Sequence, residues 1–206
     1  MVIFKGEVLS LDNEITVRIN CSLQEMYKIL ESKGFSIVDK FNLDDTYYIK
    51  NDIDLKKQPI REILKKYILI RNITQFTPND FINSYNFSLL TFKNKDIASD
   101  GTIISQYKKD CQIQNAQQGK EFLEAIGYKE LITIKEKDIV YAKEGLGLAI
   151  KDIENGDNLI EVETNEKVEE LNTIEKLKAK INELQIPIDT NDYFLKKAEI
   201  ELKKIL

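Results

Sequence analysis

The chain has 206 residues, 42% of them hydrophobic and 32% charged, which suits one globular domain (or at most two small ones) with a real core and supplies no apolar run long enough to span a membrane. Histidine is absent, which excludes Ser-His-Asp and Cys-His nucleophiles and the usual His-containing zinc sites, and leaves carboxylate, Lys, Arg and Tyr chemistry. The net charge of -5 argues against a general nucleic-acid surface, although 30 Lys and Arg leave room for a local cationic pocket.

In chain order, Met1-Val2-Ile3-Phe4-Lys5-Gly6-Glu7 lacks a secretory pattern, so the expected address is cytoplasmic, with no membrane or nucleic-acid partner. Residues 14–19 alternate and predict a strand with Glu14, Thr16 and Arg18 on one face and Ile15, Val17 and Ile19 in the core. Ser22 is the expected N-cap of a helix running to Lys33, and Gly34 stops it. Strands are expected over 45–50, 67–71 and 84–93, with a loop or irregular edge over 52–62 and another loop over 77–80. In the second half the pattern predicts a strand over 103–113, a helix over 116–126, and strands over 132–141 and 148–153. Gly145 and Gly147 suggest a hairpin turn, and Asn155-Gly156-Asp157 leads by a turn into a strand over 159–163. Helices over 168–184 and 192–206 complete an α+β protein dominated by an antiparallel sheet. Cys21 and Cys111 are too few for a disulfide framework.

One pattern occurs twice. Leu30-Glu31-Ser32-Lys33-Gly34-Phe35 and Leu123-Glu124-Ala125-Ile126-Gly127-Tyr128 each end a helix. Each glycine is followed at the same spacing by an acid and a tyrosine, Asp45 and Tyr48 after Gly34, Asp138 and Tyr141 after Gly127. This predicts two related halves closing around a shared site.

Arg18, Arg71, Lys93, Lys135 and Lys137 all fall on predicted strands, where they either meet water or line a barrel interior. Glu161 and Glu163 share a strand face and either hold a divalent cation or are ordinary exposed carboxylates.

The order of the elements resembles the CYTH family, the triphosphate tunnel metalloenzymes that include class IV adenylate cyclases and thiamine triphosphatases. Glu14-Ile15-Thr16-Val17-Arg18 stands where that family has E-x-E-x-K, and Asp45-Thr46-Tyr47-Tyr48 resembles its D-x-Y-aromatic string. Ile68-Leu69-Ile70-Arg71 resembles its L-R-I-R strand, and Leu90-Thr91-Phe92-Lys93 its L-T-x-K strand. Residues 135–141 resemble K-x-R-x-x-x-Y, 148–152 resemble i-x-l-D, Ile160-Glu161-Val162-Glu163 resembles E-I-E, and Asp192-Tyr193 the closing S-Y. The resemblance implies a single domain over 1–206, an antiparallel eight-stranded tunnel-like barrel with peripheral helices. It implies substrate binding by Arg18, Arg71, Lys93, Lys135 and Lys137, with Lys93 and Lys135 in catalysis. It further implies Mg²⁺ or Mn²⁺ on Glu14, Glu161 and Glu163, with Asp152 orienting a cation or a lysine. The expected activity is metal-dependent hydrolysis or cyclisation of a triphosphate (ATP, tripolyphosphate or an organic triphosphate), with a homodimer as an allowed assembly. Thr16, Leu69 and the Gln106-to-Lys109 segment depart from the family pattern. They support an alternative, a noncatalytic triphosphate or polyanion binder that has lost part of its metal site, and a third reading is an interaction protein sharing only the fold. Glu7, upstream of the first strand, is a further carboxylate that could replace the lost one.

Overall fold

Eight segments of alternating or β-branched-rich sequence become strands: β1 (Glu14–Arg18), β2 (Ser36–Lys50), β3 (Lys66–Phe76), β4 (Ser84–Ile97), β5 (Ile103–Ile113), β6 (Tyr128–Lys143), β7 (Leu146–Ile153) and β8 (Asn158–Glu163). They form one sheet in the order β1-β8-β7-β6-β2-β3-β4-β5, and every pairing in it is antiparallel. The computed structural model describes residues 14–78, 81–99, 101 and 103–206. Glu7 and the N-terminal segment, like Asn79 and Asp80 of the expected loop, lie outside the described residues.

The sheet is strongly curled. Lys93 and Lys95 on β4 are six strand steps from Glu14 on β1, about 29 Å in a flat sheet at roughly 4.8 Å per strand, yet all three line one cavity. The curl stops short of the expected closed tunnel, because β1 and β5 do not pair among the described residues. β1 has only five residues, and its outer edge is taken by residues 193–195. The Thr16 N–H donates to the Tyr193 carbonyl at 2.8 Å, and the Leu195 N–H donates to the Thr16 carbonyl at 3.2 Å. This segment therefore satisfies the backbone groups that barrel closure would otherwise satisfy. It also explains why the helix expected over 192–206 begins only at α5 (Lys197–Ile205).

The convex face of β1, β7 and β8 carries Ile15, Val17, Leu148, Ile150, Ile160 and Val162, packed under α1 (Leu23–Ser32) and α4 (Ile174–Glu183). Met26 and Leu30 come from α1, Leu177 and Ile181 from α4, at the three- and four-residue spacings that put them on one helix face. The single helix expected over 168–184 divides into a 3₁₀ turn, Glu169–Leu171, and α4. The Thr173 hydroxyl accepts from the Lys176 N–H at 3.3 Å and so starts a fresh helix. Inside the curl, Tyr47, Tyr67 and Leu159 pack against Ile63 of α2 (Ile60–Ile63) and Ala198 and Leu202 of α5, which fill one end of the concavity.

The repeated pattern has a structural counterpart. Ser22 and Asn115 cap α1 and α3 (Ala116–Ala125) by accepting from the N–H three residues on. Gly34 and Gly127 end them at φ +83° and +88°, a backbone region that costs a residue with a Cβ. β2 and β6 then run side by side with Leu43 opposite Glu136 and Phe41 opposite Asp138. Asp45 and Asp138, at equal offsets from the two glycines, are both buried, as are Tyr48 and Tyr141. The correspondence is local to helix, glycine and strand.

Leu148 is fully buried between the sheet and its helices. Leu148→Ala is expected to lower unfolding free energy by about 2–5 kcal/mol in urea melts, through lost transfer energy and the cavity left behind; a loss under 1 kcal/mol would show that this layer is not the main core.

Candidate functional site

The concave face encloses a cavity of about 560 Å³, within the usual range for small-molecule sites. The strand period of two decides which side chains enter it. Glu14 and Thr16 of β1 face in, and because Glu14 pairs with Glu163 and Thr16 with Glu161 across the β1–β8 ladder, all four stand on the cavity wall. Carboxylate oxygens of Glu14, Glu161 and Glu163 lie within 4.8 Å of one another. Oxygens around one octahedral ion at roughly 2.1 Å are about 3 Å apart when adjacent and about 4.2 Å when opposite, so three hard oxygen donors at this spacing fit Mg²⁺ or Mn²⁺ with modest side-chain adjustment. The Lys196 ammonium donates to Glu14 at 3.3 Å. Burial works against the Glu14 charge, but Lys196, Lys95 and Lys93 outweigh it and hold the carboxyl below its usual range.

The facing wall is cationic. Arg71 of β3, Lys93 and Lys95 of β4 and Lys108 of β5 all line the cavity. Arg71 makes a two-pronged ion pair with the fully buried Asp45, at 2.6 and 2.7 Å. Lys108 pairs with Asp110 at 3.0 Å. Lys93 and Lys95 have no ion-pair partner among the described residues. Burial, with Arg71 nearby, pushes the Lys93 ammonium below its ordinary value. Burial and the Lys93 charge push Lys95 down to about 7.

A chain of buried charges joins the two walls. Lys197, at the start of α5, donates to Asp45 at 2.7 Å and to Glu136 at 2.6 Å. Lys151 of β7 donates to Asp138 at 3.1 Å and stands 3.7 Å from Glu136 and 3.4 Å from Glu161. Burial and the Glu136 charge nevertheless raise Asp138 to about 7. One oxygen of each acid, Glu136 Oε2 and Asp138 Oδ1, is buried without a hydrogen-bond donor.

Of the residues expected from sequence, the structure brings Glu14, Glu161, Glu163, Arg71 and Lys93 to one cavity. Lys135 and Lys137 are exposed on the opposite face of β6, and Glu136 and Asp138 stand inward in their place. The pairings of Leu43 with Glu136 and Phe41 with Asp138 fix that register, and a one-residue offset exchanges the two faces of a strand. The same offset puts Lys151 in the cavity and Asp152 on the outer side. Arg18 lies beyond the cavity, with its guanidinium held by Asp157 at 2.7 Å. Sequence reasoning missed Lys95, Lys151, Lys196 and Lys197. Lys95 was readable, since it follows Lys93 by one strand period, whereas Lys196 and Lys197 reach the site only because 193–195 lies along β1.

The same fold occurs in solved structures. A Pyrococcus horikoshii protein superposes with a TM-score of 0.68 at 20% identity, over 94% of this chain and 99% of its own. A putative adenylate cyclase from Vibrio parahaemolyticus gives 0.60 at 11% identity, over 93% and 96%. A putative adenylyl cyclase from Hippeastrum, described as having a dominant triphosphatase activity, gives 0.56 at 17% identity, over 87% and 90%. No family model and no curated protein matches the sequence. The chain thus has the fold of these structures, with low identity along nearly its whole length. No helix of the described residues is long and apolar enough to cross a membrane.

Two measurements test this geometry. Glu161→Gln with Glu163→Gln is expected to weaken Mn²⁺ binding at least tenfold by calorimetry while the thermal midpoint stays within a few degrees; undiminished binding would place the metal elsewhere. The Asp45 carboxyl lies below the usual range because its attraction to Arg71 and Lys197 overcomes the cost of burial. Its stabilising effect is therefore present above the unfolded value near 3.9 and is lost as pH falls below it. Asp45→Asn is expected to cost about 3–5 kcal/mol at pH 7 by leaving Arg71 and Lys197 underpaired, and to flatten the acid limb of the stability–pH curve.

Proposed function

We propose that this protein binds the phosphate chain of a triphosphate-containing small molecule in its cavity. Arg71, Lys93 and Lys95 would meet the phosphates, and Glu14, Glu161 and Glu163 would hold Mg²⁺ or Mn²⁺. The observation that carries this reading is the opposition, across one cavity, of Lys93 and Lys95, which have no ion-pair partner among the described residues, to a three-carboxylate cluster. A cation partly withdrawn from water without a counter-ion is unfavourable by itself, and a polyanionic ligand relieves it. The metal that Glu14, Glu161 and Glu163 would hold would supply positive charge that offsets the charge on the phosphate oxygens and at the transferred phosphorus. Lys93 would neutralise the same oxygens from the facing wall, and we assign it the catalytic role. Lys135, Lys137, Arg18 and Asp152 have no part in this site, because their side chains do not line the cavity.

The activity we infer is metal-dependent attack on the bound triphosphate, by water in a hydrolase or by an internal hydroxyl in a cyclase. The chain offers no histidine as a base, and its cavity supplies positioning and charge. A noncatalytic binder is the second reading. It is favoured by Thr16, which stands on the metal wall where a carboxylate would complete the site, and by the engagement of Arg71, Lys151 and Lys197 in internal ion pairs.

Phosphorus NMR with ATP or tripolyphosphate and Mn²⁺ or Mg²⁺ tests the proposal. Orthophosphate indicates a hydrolase, pyrophosphate with cyclic AMP indicates a cyclase, shifted signals without product indicate a binder, and unchanged spectra remove the assignment. Lys93→Ala is expected to weaken tripolyphosphate binding by at least tenfold, the loss of one charge-assisted contact of about 1.5–3 kcal/mol. Lys95, near pH 7 in the free protein, should gain a proton as phosphate binds, since a neighbouring anion raises its pKa. Affinity should accordingly fall as pH rises from 7 to 9, and calorimetry in buffers of different ionisation enthalpy should register proton uptake; proton release would contradict the placement of Lys95.

A further inference from the structure

Three carboxylates that converge within 4.8 Å repel one another unless a cation stands beside them. Two ammonium groups of the chain itself do so. Lys151 is 3.4 Å from Glu161, but it also holds Asp138 at 3.1 Å and stands 3.7 Å from Glu136, so it belongs to the buried charge chain that joins the two walls. Lys196 is held differently. It meets Glu14 at 3.3 Å, longer than the roughly 2.7–2.9 Å of a tight charge-assisted bond, and no second acid among the described residues pairs with it. Its backbone, by contrast, is fixed. Residues 193–195 are bonded to Thr16 of β1 on one side. On the other, the Tyr193 hydroxyl donates to Asn182 at 2.8 Å, and the Lys178 ammonium lies 4.4 Å from the centre of the Phe194 ring. The segment therefore delivers one singly held ammonium to the carboxylate wall, and both Lys196 and Glu14 line the cavity.

We propose that Lys196 is the resident counter-cation of this carboxylate cluster and must leave Glu14 before a divalent ion binds there. The proposal rests on the metal reading above and adds a control to it. An ammonium and a divalent ion on the same carboxylate repel each other at short range, so binding of the ion includes the cost of breaking the Lys196–Glu14 pair. Tethering makes that competition effective, because a group fixed beside its partner acts at a high local concentration. The cluster thus stays partly neutralised when empty, and it discriminates by charge. A monovalent cation gains too little from the three carboxylates to displace a tethered ammonium, whereas a divalent one gains about twice as much from each.

The test is Mn²⁺ binding in the absence of any phosphate, read from the loss of the free-ion signal in electron paramagnetic resonance, on the parent protein and on Lys196→Met, Lys196→Arg and Lys95→Met. Lys196→Met, which keeps the length of the side chain and removes its charge, is expected to bind Mn²⁺ about fivefold or more tightly than the parent, since a short-range repulsion is lost. Lys196→Arg, still a cation, is expected to stay near the parent value. Lys95→Met removes a cavity cation that has no ion pair with Glu14 among the described residues, and its gain is expected to be smaller. Damage to the fold does not produce a gain in affinity, and Lys196 makes no side-chain capping bond to α5. Unchanged or weaker Mn²⁺ binding in Lys196→Met, or an equal gain in Lys95→Met, would overturn the role of Lys196 while leaving the metal site in place. Parent binding that survives Glu161→Gln with Glu163→Gln, or no binding by any of these proteins, would remove the metal reading and this inference with it.

Discussion

The arrangement depends on one buried chain of alternating charges, running from Arg71 through Asp45, Lys197, Glu136 and Lys151 to Asp138 and Glu161. It joins β3, β2, α5, β6, β7 and β8, so each link connects elements that sequence separation would otherwise leave independent. Charges of this kind stabilise only as a set. Desolvating any one of them costs several kcal/mol, and only near-complete pairing repays it. The two-pronged Arg71–Asp45 contact and the double engagement of Lys197 supply that pairing, whereas Asp138 and Glu136 each keep one oxygen without a donor.

This chain also sorts the cations of the cavity into two groups. Arg71, Lys151 and Lys197 are engaged with acids of the protein itself, while Lys93 and Lys95 face the cavity with lowered proton affinity. The cavity is thus polarised, with metal-type oxygen donors on β1 and β8, ammonium groups on β4 that have no ion-pair partner among the described residues, and an apolar wall with an acid in it on β2, β6 and β7. A tunnel lined all round by cations would attract any polyanion in any orientation. A polarised one distinguishes ligands by where their charge lies, which is specificity by placement rather than by total charge.

The open sheet and its end segment belong to the same construction. A fully closed barrel would have no edge to protect. Here the edge of β1 is covered by residues 193–195, and the two lysines that follow enter the cavity at Glu14, Asp45 and Glu136. Edge protection and charge supply are thereby performed by one stretch of chain, and α5, anchored by Ala198 and Leu202, holds it in place.

Much of this was legible in the residues alone. Periodicity placed eight strands and the helices α1 and α3, because side-chain alternation and capping residues such as Ser22 act within a few residues of themselves. Glu161 and Glu163 could be identified as a candidate pair because they share one face of a short strand whose phase is fixed by flanking Ile and Val, whereas Glu14 joined them only through the family resemblance. β6 was not legible in the same way. Lys135-Glu136-Lys137-Asp138 alternates charge with charge, so no apolar residue marks its inward face, and only the pairing with Phe41 and Leu43 decided that the acids go in and the lysines out. The local sequence determined which segments extend, coil and turn, since those choices are settled by dihedral preference and nearest-neighbour hydrogen bonds. The curl of the sheet, the insertion of Lys196 and Lys197 and the pairing of Asp45 with Arg71 were decided only by tertiary structure, because each rests on contacts between residues far apart in the chain whose energy exists only once water has been excluded between them.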